Sequence, residues 1–207
     1  AAVQGADEVW VAQGNYVESV VMQPYARLYA GFAGGETTRD QRDPGSHETR
    51  ITGKGKTYIC VTGATSSLID GFIISGGHTG VYCYLTSPVV SNCRIINQAA
   101  SGVDSEKFSR AQVTMNSISR CVIGVSTNDE AKPIVVGNLL MGNVRGIHAN
   151  SRLEAIVNNS IVWNSETGVL GGADTIANNI VAYNGTGFSG GGTGIARSHN
   201  NVYGNFT

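Results

Sequence analysis

Asp104 and Glu106 stand two residues apart in the run Ser-Gly-Val-Asp-Ser-Glu-Lys, with Lys107 directly after them. Alternate residues of an extended strand share a face, so both carboxyls project to one side, about 6.6 Å apart by strand rise. That is the low edge of the roughly 6.5–9.5 Å that separates acid from base in inverting glycoside hydrolysis. Two acids paired on an exposed strand would nevertheless ionise together, leaving no carboxyl with a raised pKa to act as the acid. The same pair beside cations also suits β-elimination from a uronic-acid polymer. In that reaction a metal or basic side chain neutralises the sugar carboxylate, and a Lys or Arg removes the C5 proton. Asp104, Glu106, Asp129 and Glu130 offer oxygen ligands for Ca²⁺, and Lys107, Lys132 or Arg152 would stand near the proton.

These side chains form one site only if the chain repeats, and it does. Gly80, Gly102, Gly124, Gly146 and Gly168 are spaced 22 residues apart, each followed by Val or Ile. Asp70, Asn92, Asn116, Asn138, Asn159, Asn179 and Asn201 form a second ladder beside them. A fixed period of this length specifies a solenoid. Each period holds three short β-like runs that cannot bury themselves, so they pair in parallel with their copies above and below. The expected fold is all-β: a single right-handed parallel β-helix of about eight coils of ~22 residues, right-handed by the general rule for parallel crossovers. The Asn ladder is read as corner residues that tolerate the left-handed conformation and hydrogen-bond along the coil axis.

With Val103, Val125, Ile147 and Val169 inward, Tyr82, Asp104, Ser126, His148 and Leu170 face outward. Tyr84, Glu106, Asn128 and Asn150 follow two residues later on the same face. This strip supplies a candidate catalytic set of Asp104, Glu106, Lys107, Lys132 and His148, with His148 two rungs, about 10 Å, from Asp104. Tyr82 and Tyr84 can stack on sugar rings, and Asn128, Asn150 and Arg152 can bind sugar hydroxyls or carboxylates. The outward positions of the other strands read as mostly Thr, Ser, Asn and Arg. The strip also fits a plain solvated face, since Asp129, Glu130 and Lys132 make a common solubilising cluster.

The 207 residues carry a net charge of −1, with 14% charged, 41% hydrophobic, 28 Gly and 17 Asn. That balance suggests neither a nucleic-acid patch nor a basic membrane surface, and no apolar run approaches the ~18 residues of a membrane span. Cys60 and Cys83, 23 apart, could stack on adjacent rungs as a disulfide; alternatively Cys60, Cys83, Cys93 and Cys121 are small interior hydrophobes. Residues 33–50 are a charged insertion expected to fold over the sheet as an ion-paired loop. The chain is expected to be one domain over 1–207, with 1–50 the first coil plus insertion and 51–207 the regular coils. It reads as a piece of a longer protein without a signal peptide. Its coil ends lack caps, so they are expected to join further domains or another copy of the chain.

The stretch VWVAQGNY…LYAGFAGGETTRDQRD, followed by the Asn and Gly-Val/Ile repeats, resembles the secreted bacterial right-handed parallel β-helix proteins of the pectate-lyase-like superfamily. The resemblance covers the chain. It implies secretion to the cell surface or beyond, and a partner that is an acidic polysaccharide or cell-surface glycan. Members of this superfamily include polysaccharide lyases, glycosidases, epimerases and non-catalytic surface proteins. The chain lacks the NTD, paired-Asp and GHG runs of polygalacturonases and the RxPxxR run of pectate lyases, so no catalytic residue carries over. Three readings follow: a glycan-interacting protein, with an acidic-polysaccharide lyase working with Ca²⁺ as its catalytic form; a non-catalytic adhesive surface β-helix; and a scaffold assembling through its ends.

Overall fold

The computed structural model describes residues 7–190 and 196–207. Three parallel sheets of nine, nine and eight strands run the length of the molecule, and each successive strand belongs to the next sheet. One turn shows the pattern: Val89–Ser91 in the first sheet, Arg94–Ile96 in the second and Ser101–Glu106 in the third. Among the described residues no helix is long and apolar enough to cross a membrane.

The solenoid has about nine turns, one more than the repeats suggested. Glu8–Ala12 and Arg27–Phe32 pair side by side in the first sheet, so they belong to successive turns instead of one coil. Directly after the first of these, the strand Gly14–Val17 joins the second sheet, where it pairs with Thr49–Thr52. The insertion therefore departs from the second turn, between its first-sheet and second-sheet strands. It folds back over Tyr29, whose ring lies 5.0 and 5.1 Å from the guanidinium carbons of Arg39 and Arg42. Arg39 pairs with Glu8 and Arg42 with the buried Asp70, both at 2.6 Å. Glu48 reaches Arg94 on the fourth turn at 2.9 Å.

Inside, each sheet contributes a column of aliphatic side chains in register. Ile69, Val90, Val113, Val135, Ile156 and Ile176 line the first sheet, and Val61, Val81, Val103, Val125, Ile147 and Val169 the third. All are fully buried. At about 1.5–3 kcal/mol for each such side chain, these columns provide the main drive for stacking.

Polar columns stand at two corners of the triangle, and here the structure corrects the expected ladder. The stacked residues are Asn116, Asn138, Asn159, Asn179 and Asn200, not Asn201, and they are not left-handed. The left-handed position is the residue before each, Met115, Gly137, Asn158, Asn178 and His199. Asn92 is itself left-handed, so on that rung the ladder place falls to Cys93, whose N–H donates to Asn116 Oδ1. Each buried Asn donates its backbone N–H and one amide hydrogen to the next Asn Oδ1, and another amide hydrogen to a backbone carbonyl below. A second ladder, unforeseen from the sequence, holds Asn143, Asn164, Asn184 and Asn205 at the corner between the second and third sheets. Its spacing of 20–21 residues was legible, but it runs within five residues of the first ladder and was absorbed into it.

Cys60 and Cys83 do not stack. Ile59 pairs with Thr79 and Val61 with Val81, a step of 20 residues, so Cys60 lies beside Gly80. All four cysteines are buried free thiols. Burial pushes Cys83 and Cys93 up to about 12. The glycine column has a steric cause: a Cβ on Gly124 would lie 2.5 Å from the Gly146 carbonyl oxygen.

Removing the side chain in Asn138→Ala orphans several buried donors and acceptors and is expected to cost roughly 2–5 kcal/mol in urea unfolding. Gly124→Ala is expected to destabilise well beyond Gly142→Ala. At Gly142 no atom lies within 4 Å of where a Cβ would stand, so only the left-handed backbone matters, at about 1 kcal/mol. Equal costs for the two glycines would show that close approach does not select the column.

Candidate functional site

The third sheet arranges its outer face as the alternation required. Tyr82, Asp104, Ser126, His148 and Leu170 follow one another in register, and Tyr84 pairs with Glu106 one column over. The strands pin these rows because Val103 and Ser105 are buried on either side of Asp104. The Tyr82 hydroxyl donates to Glu106 Oε2 at 2.8 Å, and the Tyr82 and Tyr84 rings stack with centroids 6.1 Å apart. Burial, then the bond to Glu106, holds the Tyr82 hydroxyl well above its usual range.

Asp104 departs from expectation. It is half-buried between the Tyr82 and Ser126 rungs, and its Oδ1 is sealed from solvent without a hydrogen-bond partner. Burial and then the charge of Glu106 push its carboxyl up to about 6, partly offset by the Ser126 hydroxyl and by His78. The expectation that both acids ionise together on an open strand therefore fails at Asp104, because the neighbouring rungs shield it. His78, two residues before Gly80, was not foreseen as part of this neighbourhood; its imidazole Nδ1 lies 3.3 Å from the Thr79 hydroxyl. His148 has its Nδ1 buried without a partner, and burial with the nearby Arg145 holds the imidazole below its usual pKa.

The other candidates scatter along the corner beyond the sheet. Lys107 Nζ pairs with Asp129 at 2.9 Å, and that bond keeps the ammonium protonated above its ordinary range. This removes Lys107 as a ready base. Asn150 donates to Asn128 at 2.7 Å. Arg152 is paired with Asp174 at 2.6 Å. Glu130 is placed by its N–H to the Ser151 hydroxyl, and Lys132 by its N–H to the Ser109 carbonyl. The four carboxylates considered for Ca²⁺ do not gather. Glu106 is engaged by Tyr82 and Asp129 by Lys107, and among the described residues no three acidic, His or Cys side chains converge to hold a metal. The residues present thus do not fit a calcium site.

The outer face of the second sheet is also unlike its expected Thr, Ser, Asn and Arg surface. Met141, Val162 and Ala182 lie there in register, with Leu139 and Ile180 exposed beside them. The polar reading held for the Ser117–Ser119 strand and not for later rungs, where short runs such as Leu139–Met141 are apolar on both faces.

The folded state holds the Asp104 proton more tightly than the unfolded chain, where this carboxyl titrates near 3.8. Its contribution to stability is therefore full below about pH 3.8 and is lost as pH rises through about 6. Asp104→Asn is expected to match the wild type in melting temperature near pH 4 and to exceed it above pH 6. A melting difference that does not change between these pH values would refute the perturbed carboxyl.

A search of curated proteins finds no match. Among solved structures, the chain is similar to a mutant of the periplasmic alginate epimerase AlgG, with a TM-score of 0.55 and 17% identity over 89% of this chain and 42% of that one. The chain thus spans less than half the length of that protein, and the likeness is one of fold. Residues 40–161, more than half the chain, match the family model of the right-handed β-helix region. With three parallel sheets wound from the same repeat, this chain belongs to the right-handed β-helix family.

Proposed function

We propose that this β-helix binds an acidic polysaccharide along the outer face of its third sheet, outside the cytoplasm, and that β-elimination is the reaction its residues best suit. The observation that carries the reading is the half-buried Asp104 carboxyl, one oxygen unpartnered, beside the Glu106–Tyr82 pair. A carboxyl raised to about 6 is neutral in mildly acidic solution, where it can donate a hydrogen bond to a sugar carboxylate. The AlgG likeness adds support, since that protein is named for an acidic polysaccharide and for the periplasm.

In this reading Lys107, held charged by Asp129, neutralises the uronate carboxylate and does not act as base. His148, kept neutral, takes the C5 proton. The C5–H electron pair forms the C4–C5 double bond as the C4–O bond breaks, and the departing oxygen takes a proton from solvent water; Tyr82, three rungs from His148, holds a neighbouring sugar. Tyr84, Asn128, Asn150 and Arg152 hold neighbouring sugars, with Lys132 and Glu130 at the corner. The engagement of Lys107, Arg152 and Glu106 in contacts of their own favours a second reading, binding without turnover.

Affinity electrophoresis through gels containing alginate, pectate or a glycosaminoglycan tests the binding. Retardation by at least one of these polymers is expected, and Tyr82→Ala and Glu106→Gln should weaken it severalfold. Free migration of the wild-type protein in all three would sink the proposal. Ultraviolet absorbance of the unsaturated product separates the two readings: a rise abolished by His148→Gln establishes a lyase, and no rise with retained binding establishes a binding protein.

A further inference from the structure

The corner between the second and third sheets carries a row of exposed aromatic rings that the third-sheet site does not use. Trp163 is 59% exposed, Tyr183 46% and Tyr203 44%. The Trp163 and Tyr183 rings stack at 6.0 Å and 22°, and Tyr203 meets Tyr183 edge-on at 5.4 Å. Trp163 and Tyr183 occupy the left-handed corner position before the ladder residues Asn164 and Asn184, at φ 54° and 57°. Bulky residues are uncommon in that conformation and carry strain there. The same position on neighbouring rungs is Gly142 and Gly204, and on the other polar corner Asn158 and Asn178. The fold thus has strain-free choices for this place, and two successive rungs hold large aromatics instead.

Two grooves meet at Trp163. One, of about 360 Å³, runs past Arg120, Val122, Gly142 and Val144. The other, of about 390 Å³, runs past Tyr183, Gly204 and Phe206. Trp163 and Ser165 line both, so the depression continues along the coil axis over several rungs. Arg120, at one end, is the sole charged side chain lining either groove among the described residues. A trough with one charge at its end, lined by the Trp163 and Tyr183 rings 6.0 Å apart and exposed along the coil axis, matches a linear polymer whose units present apolar faces and neutral hydroxyls. A charged polymer finds one partner there, in contrast to the ionisable third-sheet strip.

We infer that this corner is a second glycan-binding site, taking a linear, predominantly neutral polysaccharide laid along the helix axis with sugar rings on Trp163 and Tyr183. The site is independent of the third-sheet strip, so each can fail without the other. It would let one molecule grip a neutral polymer while its other face engages an acidic one.

Trp10 and Trp163 are the two tryptophans, so Trp10→Phe leaves a single reporter inside the proposed site. Titrating this protein with cellohexaose, xylohexaose, mannohexaose and chitohexaose is expected to give a saturable change in tryptophan fluorescence with at least one, and none with an alginate hexamer. Trp163→Asn, which places at this corner a residue the other corner already uses, should keep the circular dichroism and melting temperature of the wild type or improve on them. Calorimetric titration of that variant should show affinity for the same oligosaccharide reduced by about tenfold or more, whereas Asp104→Asn should bind it as the wild type does. No response to any neutral hexamer, undiminished binding by folded Trp163→Asn, or a response to the alginate hexamer alone would overturn the proposal. So would a concentration-dependent dimer by light scattering that Trp163→Asn abolishes, since a second copy would then cover the rings.

Discussion

Everything in this molecule depends on one constraint: a residue on one rung meets its own counterpart on the next. Parallel pairing fixes that distance at about 4.8 Å, so a good residue for the interior is one that packs well against a copy of itself. Aliphatic side chains satisfy this by simple contact. Asparagine satisfies it by chemistry, because its amide offers hydrogen to the rung on one side and oxygen to the rung on the other. The two ladders thereby settle the backbone donors at corners where the sheets stop, groups that would otherwise be buried without partners. A slip by one residue would turn every interior column outward, so the columns also set the register.

The same constraint makes the outer surface a set of rows with fixed spacing and few internal degrees of freedom. A side chain there is surrounded by the rungs before and after it, which is why the strand position alone did not foretell the environment of Asp104. Tyr82 on one side and Ser126 on the other shelter a carboxyl that would be open to water on an isolated strand. The corners behave differently. Their backbone is pinned in the left-handed region whatever the residue, so a large side chain there is thrust outward and adds exposure to strain. Rows and corners are thus two distinct places on this fold where chemistry can be mounted.

The architecture was legible because a solenoid writes its geometry as a period: the glycine column and the Val and Ile that follow it place the third sheet, its inward column and its outward row. The ladder was legible to within a residue, and the error is instructive. Asn158 and Asn159, like Asn178 and Asn179, are adjacent, one left-handed and one stacked, and composition alone does not say which does what. The first two turns were misread because the insertion hid the return of the chain. Within the site, the rows followed from alternation, while the pairing of Lys107 with Asp129 and of Arg152 with Asp174 joins different turns through corner geometry that spacing does not encode. The neutral aromatic corner was missed for a similar reason: Trp163, Tyr183 and Tyr203 fall at steps of 20, and the last belongs to a strand while the first two belong to turns.

The strap formed by residues 33–50 gives the rod a mechanical polarity. Through Arg39 to Glu8, Arg42 to Asp70 and Glu48 to Arg94 it ties together the first, second, third and fourth turns, which are otherwise joined only to their neighbours. Later turns have no such strap and, apart from the exposed Arg110–Glu154 pair, are held rung to rung among the described residues, like teeth of a zip. Under tension applied along the axis, the molecule would open turn by turn from the unbraced side, each turn releasing about 22 residues of slack, and stall at the four braced turns. A rod built this way is a graded spring at one end and a rigid anchor at the other.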